Sequence, residues 1–113
     1  MDLDSKITRI VLLEEKIGLI LEQISNLELV EFVIVDGVFT RVLDYIQVLN
    51  QKIEVLEQIK KDLVDDILEH TELEQLYQVM ASLPDGRLKM MKSLTAVNLI
   101  ELKNRKMEEE KVL

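Results

Sequence analysis

Between Phe32 and Ile67, apolar residues recur at alternating intervals of three and four. Phe32, Val35, Phe39, Val42, Ile46, Leu49, Ile53, Leu56, Leu63 and Ile67 fall on this stripe, and only Lys60 interrupts it. These are successive a and d positions of a heptad, the signature of a helix whose seam needs a partner helix. No other feature restricts the fold as strongly. All of these positions, Lys60 included, form the expected oligomer or partner seam.

One part of the stripe carries a competing signal. Phe32-Val33-Ile34-Val35-Asp36-Gly37-Val38-Phe39 also reads as a β-hairpin, because Asp-Gly between β-branched runs is a strong turn signal. The helical reading is preferred on three grounds. The stripe passes through Asp36-Gly37 without losing phase, and Gly37 lands at f, farthest from the seam. A mid-helix Gly costs only about 1 kcal/mol. A two-stranded hairpin with no third strand is marginal in water. The spacing therefore predicts one helix over residues 26–69, roughly 65 Å long at the helical rise.

The other elements follow from periodicity and caps. Residues 3–24 read as a helix with Ile7, Ile10, Ile17, Leu21 and Ile24 in heptad spacing, broken by Glu14. Ser25-Asn26-Leu27-Glu28 has the capping-box pattern, marking a tight junction into the long helix. Thr71-Glu72-Leu73-Glu74 repeats that pattern and opens a third helix over 72–82, which Pro84-Asp85-Gly86 closes. A fourth helix is expected over 87–110, with a tail from Met107 that frays. Val33, Ile34, Val38, Val48, Val55 and Ile59 flank the seam with further apolar groups, which points to a bundle and not a bare zipper. The expected fold is all-α and a single helical domain over 1–113. It is a long antiparallel helical hairpin plus a second, shorter helical hairpin, with bundle or coiled-coil packing.

Composition agrees with long helices. The chain has three glycines, one proline and no cysteine, and 48% of its residues are hydrophobic. With a mean hydropathy of +0.10, a lone hairpin cannot hide its apolar surface, so self-association or a helical partner is expected. No uncharged apolar run reaches 18 residues and no cleavable leader pattern is visible, so no membrane contact and a cytoplasmic location are expected.

Catalytic chemistry has little to stand on. The one histidine, His70, sits at the expected end of the long helix, where an imidazolium is favoured by the helix dipole. It has no second histidine to build a carboxylate-bridged metal site. Gly18, Gly37 and Gly86 are too far apart for a phosphate loop. No catalytic, cofactor-binding or metal-binding residue is assigned, and no enzyme activity is expected.

Charge is unevenly distributed. The net charge is −8, yet residues 87–113 hold seven basic and four acidic side chains. Arg87, Lys89, Lys92, Lys103, Arg105 and Lys106 make the last helix a contact candidate for an anionic partner. Nucleic-acid phosphate is one such partner, although no aromatic residue in 87–113 offers base stacking. The acidic body of a neighbouring subunit is another.

The stretch from Thr71 to Lys106 combines a capped acidic start and Leu76-Tyr77-Gln78-Val79-Met80 with the turn Leu83-Pro84-Asp85-Gly86-Arg87. Lys89-Met90-Met91-Lys92-Ser93-Leu94 and a charged helix then follow. It resembles the helical-hairpin core of phage terminase small subunits. That resemblance implies a non-catalytic, ring-forming protein of viral genome packaging in the host cytoplasm, with viral DNA and the large packaging subunit as partners. The helix-turn-helix domain common at the N-terminus of that family has no counterpart here, so no site residue carries over. The alternative is a helical adaptor, chaperone or inhibitor that covers a partner protein's helix.

Overall fold

The computed structural model describes residues 1–28 and 30–112, the side chain of Val112 excepted. In chain order the elements are α1 (Leu3–Leu27), β1 (Phe32–Val35), β2 (Val38–Arg41), α2 (Val42–His70), α3 (Leu73–Ala81) and α4 (Lys89–Val112). The protein is mainly helical and carries one two-stranded antiparallel sheet.

That sheet overturns the single helix expected over 26–69. Asp36 and Gly37 both adopt positive φ, 50° and 78°. Two consecutive left-handed residues make a type I′ turn, whose twist matches that of paired strands. Gly takes this conformation without penalty, and Asp is among the few residues that tolerate it. Phe32 pairs with Arg41, Val33 with Thr40, Ile34 with Phe39 and Val35 with Val38. Phe32, Val35 and Phe39 therefore lie on strands, not on a helical seam, and the seam residues from Val42 onward belong to α2. The fold class is corrected from all-α accordingly.

Other boundaries move for local reasons. Ser25 and Asn26 lie inside α1, and the Ser25 carbonyl accepts from the Glu28 N–H at 3.4 Å, so Ser25-Glu28 closes a helix and does not open one. The N-cap of α3 is Glu72, one residue later than expected, with its N–H donating to Gln75 Oε1 at 2.9 Å. Asp2 caps α1, accepting from the Ser5 N–H at 2.7 Å. Helix α4 begins at Lys89, leaving Arg87 in the preceding connection, and runs through the expected fraying segment to Val112. Leu113 lies outside the described residues.

The chain divides into two compact units, Met1–Leu12 with Lys60–Leu113, and Leu13–Ile59. In the first, Ile7 and Ile10 of α1, Ile67 of α2, Leu76 of α3, and Leu99 and Ile100 of α4 close one buried core. Helices α3 and α4 pack against each other there. In the second unit Ile17, Ile20, Val42 and Leu49 are buried, and Gln23 Nε2 donates to the Tyr45 hydroxyl at 2.9 Å.

A Cβ at Gly37 would meet no neighbouring atom, so substitution there strains only the backbone. Gly37→Val should weaken the hairpin by about 1–2 kcal/mol. The loss would show as faster amide hydrogen exchange at Val33, Val35 and Thr40 with α3 and α4 unchanged.

Candidate interaction surface

The alternation of the two strands sorts their side chains onto two faces. Phe32, Ile34, Phe39 and Arg41 share one face, and Val33, Val35, Val38 and Thr40 share the other. Val33, Val35 and Thr40 are half-buried. The first face is open: Ile34 is 73% and Phe39 72% exposed. The rings of Phe32 and Phe39 stack diagonally across the strands, with centroids 5.0 Å apart. This arrangement is favourable by about 1 kcal/mol beyond area burial.

The apolar surface continues past the strands. A cleft of about 620 Å³ is lined by Val30, Phe32, Val42, Leu43 and Ile46, with Glu28, Glu31 and Arg41 supplying the polar lining. Leu43 is 80% exposed. Phe32 belongs to both the cleft and the open strand face, so the two form one patch. A second groove of about 320 Å³ is lined by Ile20, Val48, Val55 and Leu56, with Lys16, Gln51 and Lys52.

The expected seam residues are dispersed by this arrangement. Val42, Leu49 and Ile67 are buried inside the chain, and Ile46, Ile53, Leu56, Lys60 and Leu63 are half-buried on α2. Phe32 and Phe39 are exposed on the sheet, with Val35 half-buried on its other side. The exposed hairpin face was hidden from the heptad reading, although its signal, Asp-Gly between β-branched runs, was present in the sequence.

The basic residues separate in the same way. Lys92 Nζ lies 2.7 Å from Asp4 Oδ1, and its side chain is only 9% exposed. Lys89 Nζ donates to Asp85 Oδ1 at 2.8 Å in an exposed pair. Lys103 Nζ donates to the Leu68 carbonyl at 2.7 Å, satisfying one of the open carbonyls at the end of α2. His70, the residue expected to favour that helix end, is exposed, with Nε2 3.8 Å from Asp66 Oδ1. Arg105 is exposed and Lys106 half-buried on α4. Lys89, Lys92 and Lys103 of the proposed anion-contact set are thus engaged by the chain's own oxygens.

No group of His, Cys, Asp or Glu that could hold a metal ion is found among the described residues. Nor is any described helix long and apolar enough to cross a membrane. Comparison with known protein families, curated proteins and solved structures finds no match.

Two carboxylates are held below their ordinary range. Asp66 is lowered first by its hydrogen bond to Lys6, whose Nζ is 2.6 Å away. Asp2 is lowered first by the Ser5 backbone N–H it caps. A carboxylate with a depressed folded-state pKa contributes stability above its unfolded value, and that contribution is lost as pH falls through the folded value. Asp66→Asn should therefore flatten the decline in melting temperature between pH 4 and lower pH, relative to the unsubstituted chain. Lys92 and Lys89 should part company. Lys92→Glu, facing Asp4 from a buried position, should cost about 2–4 kcal/mol in urea unfolding, whereas Lys89→Glu should stay within about 0.5 kcal/mol.

Proposed function

We propose that this chain is a non-enzymatic helical assembly protein that forms homo-oligomers through the apolar patch of residues 30–46. The observation that carries this reading is the contiguity of that patch. Phe32, Ile34, Phe39 and Leu43 are exposed together, whereas scattered apolar residues are ordinary on a monomer's surface. A role in phage genome packaging, with a large packaging subunit as partner in a host cytoplasm, is the biological setting suggested by residues 71–106. Lys89, Lys92 and Lys103 already donate to oxygens of the same chain, which favours protein over DNA as the principal partner.

A second reading, the helix-binding adaptor, draws support from the Lys16–Lys52 groove. Its exposed Val48 and Val55 between two cations suit the apolar face of an acidic partner helix.

Mass measurement by light scattering or native mass spectrometry, with and without duplex DNA, tests the assembly reading. A stable oligomer at micromolar concentration, its mass unchanged by DNA, is expected. Leu43→Glu should raise the dissociation constant by roughly tenfold or more, the equivalent of leaving one Leu side chain unburied. A monomer with a free groove would support the adaptor reading in its place.

A further inference from the structure

The hairpin's hydrogen-bond phase identifies which backbone groups remain open. Val42 N–H donates to the Glu31 carbonyl at 3.0 Å, in line with the strand register. In an antiparallel ladder, hydrogen-bonded pairs alternate with non-bonded ones. Val33 and Val35 therefore direct their main-chain groups to β2. Phe32 and Ile34 direct theirs outward, along the free edge of β1.

Apart from its shortness, that edge lacks the devices that guard exposed strands. Its four residues, Phe32–Val35, include no Lys, no Pro and no charge. The edge of β2 differs, since it bears Arg41 and runs directly into α2 at Val42.

We infer that β1 pairs antiparallel with β1 of a second copy about a twofold axis at Val33, joining two hairpins into a four-stranded sheet. The inference rests on the self-association reading above and adds a backbone contact at the border of the apolar patch. Phe-Val-Ile read against its own reverse places Phe32 of each copy opposite Ile34 of the other. These are the aromatic–β-branched pairs that stabilise cross-strand contacts. The outward main-chain groups of Phe32 and Ile34 then supply the new hydrogen bonds. Asp36 and Arg41 lie outside the three paired residues, and the flanking Glu31 of each copy falls opposite Val35 of the other, so no two acidic side chains face each other directly.

The pairing joins the two hairpins edge to edge, so the Phe32, Ile34 and Phe39 side chains of both copies come to lie on one face of a single continuous sheet.

The register gives a sharp test. Val33 of the two copies would form a non-hydrogen-bonded pair, with Cα atoms ~4.5 Å apart, inside the span a disulfide bridges. The chain has no cysteine, so Val33→Cys supplies one thiol per copy. Under mild oxidation Val33→Cys should give a disulfide-linked dimer as the main species, at least about tenfold above the Thr40→Cys control on β2. Ile34→Pro, which removes an outward N–H and spares the hairpin's own bonds, should lower the oligomer mass with helical circular dichroism retained. An oligomeric chain in which Val33→Cys links no better than Thr40→Cys would overturn the pairing and leave the assembly reading standing. Preferential linking through Thr40→Cys would assign the contact to β2 and also overturn it. An unchanged mass for Ile34→Pro would do the same, whatever the cysteine variant's folding. A monomeric unsubstituted chain would overturn the pairing and the assembly reading together.

Discussion

Two backbone angles at Asp36 and Gly37 set the course of this chain. A continuous helix from 26 to 69 requires both residues in the right-handed region, whereas the chain places both at positive φ. Once they are there, Val35 and Val38 face each other, four residue pairs zip up, and the next helix cannot start before Val42. The turn also decides which side chains meet water. On a helix Phe32 and Phe39 are two turns apart on one seam. On the hairpin they stack across strands on an open face.

Much of the helical framework was legible in the sequence because its periodic segments are long. The first helix, the later part of the long helix and the two helices flanking Pro84-Asp85-Gly86 stand within a few residues of where periodicity put them. The hairpin was misread because a 3-4 rhythm has little power over eight residues. Phe32, Val35 and Phe39 satisfy it, but residues 32–35 are apolar throughout, so any period fits them. Over so short a window the turn chemistry carries more information than the phase, since Asp-Gly reports a backbone preference directly.

The lysines show a different limit. Charge counted along the sequence treats Lys89, Lys92 and Lys103 alike. Packing assigns them three distinct tasks: an exposed i,i+4 pair with Asp85, a buried partner for Asp4 on α1, and a donor to an open carbonyl at the end of α2. The last two link residues far apart in sequence, and no local pattern announces them. The heptad reading of α2 has the same gap, because Leu49 and Ile67 are buried within the chain while Ile53, on the same stripe, is only half-buried.

A two-stranded sheet with one open apolar face has an energetic consequence. Ordering the eight strand residues costs on the order of 10 kcal/mol of backbone entropy. Against this stand a few cross-strand bonds, at about 1 kcal/mol each, and one aromatic stack of similar size. Pairing of the β1 edge with a second copy, as inferred above, would add hydrogen bonds without reordering the hairpin already formed, and would set the Phe32, Ile34 and Phe39 side chains of both copies on one face of the joined sheet. Association and hairpin order are then linked quantities. If the second copy binds only the closed hairpin, whatever raises the closed population, Gly37 at its turn above all, would strengthen self-association by the same factor as that population, and association would in turn hold the hairpin closed. The turn that interrupts the heptad seam is, on the proposed pairing, a substitute for it: it gives up a helix–helix contact and offers Phe32 to a second copy along the β1 edge, with Phe39 on the strand behind it.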